Sequence, residues 1–352
     1  MNEIIDKRNI KDFKNITFSK YKKSDAKKEL VKSLASGKLE DASYWSAEFI
    51  SSGQFLYLWE IFILVISKNI HIGNPKLPIY LDMRINVFKD ILNGGYSDNI
   101  LKMRNNEKIR KLFAEICCVI CYSKKKNSFD IPKINETDFD FFNLTNKLSA
   151  KNKKHGRQSF KNEDPSEIFV AINELAWNIS NKNKDTYKAI YWVEWVLEYH
   201  KICKKKKLQK ICATRQYPIE NKFQKEMIWI IWDVILVESK KRNNGLIKIN
   251  TALLNIFCLK YQESVKFKRK LLIYYAVSIL TESYDLNLPV LQNIEIAEKI
   301  KSKINIIYKE IKKSEEKPST DYLFNNSITN SNLEKTVDKI DKLNTLTFIP
   351  RV

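Results

Sequence analysis

The chain has 352 residues, 44% of them apolar, which excludes a chain too polar to build a core and allows one large or two ordinary domains. Its formal charge is +21, from 62 Lys and Arg against 41 Asp and Glu, a balance that suits polyanions: nucleic acid first, then acidic proteins or headgroups. The longest apolar runs, at 55–66 and 227–237, each carry an acid and are too short to cross a bilayer, so no membrane partner is expected.

The first 25 residues are charged throughout, without the apolar core of a signal peptide, and read as a basic arm, or a single helix, of an intracellular protein. From 26 to 123 apolar residues recur at helical spacing in "AKKELVKSLASG", "LEDASYWSAEFISSG", "QFLYLWEIFILVISKNI", "LPIYLDMRINVFKDILNGG" and "NEKIRKLFAEICCVICYSKKK". Gly37, Gly53, the loop "HIGNPKLP" and Gly94-Gly95 separate them, as helix ends require. Residues 124–164 are polar and poor in periodicity, and read as a linker with a short ordered patch around Phe139–Phe142. Helical pattern resumes at Pro165, with Asp164 as an acidic cap, and runs to 313, the last helix spanning Asn293–Lys313. Residues 314–352 form a polar tail with one short helix near 333–343. With no run of strict alternation, the expected fold is all-α: two tandem bundles of about five helices each.

The two helical blocks resemble each other in order. "KELVKSL" (28–34) matches "NELAWNI" (173–179), "ASYW" (42–45) matches "AIYW" (189–192), and "LWEIFIL" (58–64) matches "IWDVILV" (231–237). "IRKLFAEICCVI" (109–120) lies opposite "KRKLLIYYAVSI" (268–279). Each match alone is weak because Trp and Ile are common in helical cores; four in order indicate an internal duplication, the alternative being two bundles made alike by composition. On this reading Tyr44, Trp45, Trp59, Tyr191, Trp192 and Trp232 are core anchors. Glu60 and Asp233, acids inside apolar helices, need partners, and Arg110 and Arg269 are the expected ones.

Motifs for phosphate cradling, dinucleotide binding, metalloprotease or serine-hydrolase chemistry are missing, so neither catalysis nor a cofactor is expected. A zinc site is worth testing at His200, Cys203 and Cys212, but there is no second close pair of ligands and four lysines would repel the ion, so no metal is expected. The six cysteines, in a chain with no secretory signal, are expected to be free thiols.

The lysine runs carry the functional expectation. Lys204, Lys205, Lys206 and Lys207, with Lys210 and Arg215 in a following loop and Lys240, Lys241 and Arg242 at a helix end, are expected to contact phosphates without reading bases. Two other origins of the charge stay open: capping of helix C-termini, and the Lys/Asn/Ile bias of an AT-rich genome. Stacking of single-stranded bases is not expected, because the tryptophans fall at core spacing.

Residues 26–92 resemble the helical collar of RarA/MgsA-type ATPases, relatives of clamp loaders. The resemblance lies in Lys32-Ser33, Asp41-Ala42, Tyr44-Trp45, Gly53, Ile72-Gly73 and Asn74-Pro75, in that order. It implies an oligomerisation fold in a replication or repair setting. The ATPase core is not in this sequence, "WEIFIL" replaces the family's basic pair, and one residue is missing before Pro75, so ATP hydrolysis does not carry over. The whole chain also resembles uncharacterised helical proteins of large nucleocytoplasmic DNA viruses, which implies a cytoplasmic replication site or the virion as its location. The function expected is a DNA-associated assembly or adaptor protein that oligomerises or docks a partner through helix faces. The alternative is a structural or interaction protein, such as a virion or scaffold component.

Overall fold

A computed structural model describes residues 3–208 and 210–316. The fold is all-α; among the described residues the only β pairing is an isolated bridge between Ile16 and Lys22. The helices in chain order are α1 (Lys23–Ser36), α2 (Leu39–Ser51), α3 (Phe55–Val65), α4 (Leu77–Asn93), α5 (Glu107–Tyr122), the one-turn α6 (Phe141–Thr145) and α7 (Phe169–Asn178). There follow α8 (Thr186–Lys205), α9 (Ile228–Arg242), α10 (Asn244–Cys258), the one-turn α11 (Val265–Lys268), α12 (Lys270–Thr281) and α13 (Ile294–Lys312). Gly37 (φ 76°) ends α1 in the left-handed conformation that glycine adopts without strain. Asparagine or aspartate side chains cap α5, α8, α10 and α13 by accepting an N–H of the first turn.

The described residues form two compact units, one within 1–70, 83–125 and 288–352, the other within 71–82 and 126–287. In the first unit the aromatic core is Trp59 against Phe113 (5.1 Å), with Phe55 and Phe88 closing round it. Trp45 packs edge-on to Tyr21 and Tyr44, all three buried. The apolar run of α3 continues through a π-turn (Ile66–Ile70) and a 3₁₀ turn (His71–Gly73). The continuous helical stretch Phe55–Gly73 is therefore longer than the sequence run suggested, and by length and composition alone it could cross a membrane. Its apolar window is 67% buried, as a core helix's would be.

Two sequence expectations change here. Residues 1–25 do not form an arm: Ile4, Phe13, Phe18 and Tyr21 are buried. Ser19 donates N–H and Oγ–H to the buried Glu48, and Gln54 donates to the carbonyls of Phe13 and Ile16. Helix α13 belongs with the first unit instead of closing a second repeat over 165–313. Its stripe Ile300, Ile304, Ile307 and Ile311 is buried, Arg110 of α5 lies 4.0 Å over the Tyr308 ring, and Lys301 pairs with Glu115 at 3.2 Å. An amphipathic stripe shows that a helix has one buried face but not which groove it fills.

The second unit is α7–α12 with the segment preceding it. Trp229 and Trp232 of α9 pack on Phe257 of α10 (5.9 and 5.4 Å), and buried Glu194 of α8 accepts from Tyr274 and Lys270 of α12. The supposed linker 124–164 is mostly part of this unit. Phe139 packs on Trp195 at 4.8 Å, and the Trp195 indole donates to the Asp138 carbonyl. The expected helix near 333–343 and most of the polar tail lie outside the described residues.

Candidate nucleic-acid interface

The site is built on α7. Asn173 and Glu174 are buried polar residues on this helix, and both are used to hold the loop that precedes it. Glu174 accepts the N–H groups of Ser149 and Ala150, each at 2.9 Å. Asn173 accepts from Gly156 N at 3.1 Å and donates to the Asn152 carbonyl at 2.9 Å. Gly156 lets the loop come this close: a Cβ would meet the Asn173 backbone at 3.0 Å, tighter than an ordinary contact. These bonds lay the run "KNKKHGR" (151–157) along the helix with its lysines outward.

The turn after α7 is fixed in the same way. Asn178 accepts from Asn183 at 2.9 Å and its carbonyl accepts from Asp185 N. Arg242 of α9 donates to the carbonyls of Ile179 and Leu280, and to Glu238 at 3.0 Å, while Glu238 also accepts from Asn181 N.

Between these pieces lies a cavity of about 330 Å³. Ala176, Trp177, Val234 and Val237 supply its apolar lining, and Lys154, Lys182 and Lys241 its charge. His155 lines it too, its ring 4.8 Å from that of Trp177. Two buried polar atoms here, His155 Nε2 and Ser180 Oγ, have no hydrogen-bond partner among the described residues. A larger groove of about 630 Å³ shares Asn181, Glu238 and Lys241 with the cavity and adds Lys184 and Arg242.

The electrostatics follow from which charges are already paired. The carboxylates in the two linings are Glu238, bound to Arg242, and Glu282, bound to Lys126 at 2.6 Å. Lys154, Lys182, Lys184 and Lys241 are exposed and make no salt bridge among the described residues. The lining thus carries unneutralised positive charge against an apolar, aromatic wall.

Of the cations expected to meet phosphate, the structure brings Lys241 and Arg242 to this place, with Lys240 exposed beside them. Lys204, Lys205, Lys206 and Lys207 are exposed at the end of α8 and do not line the cavity or groove; Lys204 pairs with Glu263 and Lys210 with Glu167. Arg215 is a correction. It is buried, donating both Nη groups to Asp164 at 2.9 and 2.8 Å and Nε to Asp233, so it cannot reach a phosphate. The same contacts correct Asp164, which holds this guanidinium instead of capping a helix, and give Asp233 its cation. Arg242 likewise spends its donors within the fold.

Among the expected anchors, Tyr44, Trp45, Trp59, Trp192 and Trp232 are buried, while Tyr191 is half-buried with the Lys147 ammonium 4.3 Å over its ring. Glu60 is half-buried, Arg110 donates to the Arg104 carbonyl in the 3₁₀ turn (Ile100–Asn105) ahead of α5, and Arg269 donates to the carbonyls of Ile256, Phe257 and Leu259 at the end of α10.

The residues that sequence reading missed are Lys154, His155, Trp177, Lys182 and Lys184. Lys154 and His155 lie in the stretch whose polarity reads as a linker, and Trp177 has the spacing of a core residue. The one group of metal-ligating type among the described residues, His200 with Glu226 and Glu263, leaves Cys203 and Cys212 out. The Lys266 ammonium lies in its midst, 2.7 Å from Glu226 and 3.0 Å from His200 Nε2, so the carboxylates there already have their cation. Compared with protein-family models, curated proteins and solved structures, the chain has no match, and the collar resemblance rests on its own sequence motif.

Proposed function

We propose that the chain is a non-catalytic nucleic-acid-binding protein, with DNA as the expected ligand, that holds the phosphate backbone without base specificity through the cavity and groove of the second unit. The carrying observation is the set Lys154, Lys182, Lys184 and Lys241, without carboxylate partners among the described residues, around linings whose two acids are already neutralised. Lysines so placed act as point charges on phosphates and give salt-dependent, sequence-tolerant affinity.

An assembly role in replication or repair is proposed from the collar motif at residues 26–92. The idea of a duplicated helical unit draws support from where the four sequence matches fall. They lie in α1 and α7, α2 and α8, α3 and α9, and α5 and α11–α12, the same rank order in each set. In each set the first helix packs on the second and on the third.

A second reading, as a structural or interaction protein, is favoured by α6. Its Phe141 and Phe142 are 83% and 76% exposed, side by side, as docking residues would be.

Binding to a short labelled DNA, followed by fluorescence anisotropy, tests the proposal. Lys182→Glu/Lys241→Glu should weaken binding by about tenfold or more, whereas Lys102→Glu/Lys108→Glu, exposed lysines of the first unit, should change it by less than about threefold. Equal losses in both variants would reduce the charge to a general surface property.

A further inference from the structure

We propose that the cavity beside Trp177 takes a single unstacked nucleotide, so that the preferred ligand is single-stranded nucleic acid; this rests on the polyanion-binding reading above. The chain has seven tryptophans, and six of them (Trp45, Trp59, Trp192, Trp195, Trp229, Trp232) are at most 3% exposed. Trp177 alone is half-buried, and it lines the cavity. A core residue would have been placed like the other six; an indole left against a cavity offers an aromatic surface for a base.

The cavity's size and chemistry agree with that ligand. About 330 Å³ is at the lower end of small-molecule sites, room for one nucleotide and not for a stacked base pair. A base in duplex would have to leave its stack to enter, which a single strand does at little cost. The lining pairs apolar contacts from Val234, Val237 and Trp177 with lysine ammoniums, the combination that a heteroaromatic ring bearing phosphate requires.

The test compares single-stranded and duplex oligonucleotides of one sequence on the full chain, with Trp177→Leu, Trp177→Phe and Lys182→Glu/Lys241→Glu. Trp177→Leu should weaken single-strand binding by about tenfold and change duplex binding by less than about twofold, and Trp177→Phe should recover most of the loss. The lysine variant should weaken both ligands. In the unaltered protein, single strand should quench the fluorescence of the one accessible tryptophan and duplex should not, a readout independent of whether any variant folds. If Trp177 variants leave single-strand affinity unchanged, or affect both ligands equally, while the lysine variant still weakens binding, the nucleotide cavity is wrong and polyanion binding stands. If neither ligand binds at low salt, both readings fall.

Discussion

Arg215 and His71 set out what burial does to charge in this chain. Burial alone would raise the Asp164 carboxyl, but hydrogen bonds from Arg215 and from the N–H groups of Lys161 and Ala213 hold it below the usual carboxylate range. Removing one partner of such a pair leaves the other charge stranded, so both belong to the fold. His71 is fully buried, stacked on Tyr275 at 4.9 Å with Phe129 edge-on. Burial pushes its pKa down to about 4, against Glu282 and with Lys126, the two charged groups that act on it. His200 is lowered to about 4 as well, chiefly by burial and then by Lys266. The sign is set by the unfolded chain, which takes up a proton near pH 6.5 while the folded chain does not until near 4. Stability is therefore whole above about pH 6.5 and falls as pH drops through that window. His71 should account for a loss of about 3 kcal/mol by pH 4. His71→Asn, which keeps the positive φ of 46° tolerable, should flatten urea-unfolding stability between pH 6.5 and 4.5 by about 1 kcal/mol per pH unit. An unchanged slope would mean that His71 is not the residue held neutral.

At the scale of elements, legibility in the sequence followed periodicity. The helical spacing of α1–α5, α7–α10, α12 and α13 could be read directly, and Asn293 marked the start of α13 correctly. The loop ahead of α7 could not be read, because its order comes from Asn173 and Glu174, 17 to 25 residues further on, and hydrogen bonds of that kind leave no period. Arg215 is a similar case: a cation in a polar stretch reads as surface until its partner, 51 positions away, is placed beside it. Trp177 was hidden by its own composition, since an indole on a helix gives the same hydropathy signal at a cavity as in a core. The loop's dependence on α7 can be tested. Glu174→Ala frees the N–H groups of Ser149 and Ala150, and trypsin should then cut within Lys151–Arg157 several-fold faster, with far-ultraviolet circular dichroism unchanged. Cleavage at the original rate would show that Asn173 and Gly156 hold the loop without it.

For the whole molecule, the charge of +21 matters less than its distribution. Lys204, Lys210, Arg215 and Arg242 are tied to carboxylates, while Lys154, Lys182, Lys184 and Lys241 make no salt bridge among the described residues and surround one cavity and groove. Charge left by genome composition would be scattered, and its release of counterions would not depend on these positions. The most direct measurement is the slope of log affinity for single-stranded DNA against log salt, for the unaltered chain and for Lys182→Glu/Lys241→Glu. The account predicts a slope of about −2 to −3, as three or four lysine–phosphate contacts give, reduced by about 1.4 or more in the variant. A flat response, or a slope that the variant leaves unchanged, would contradict it.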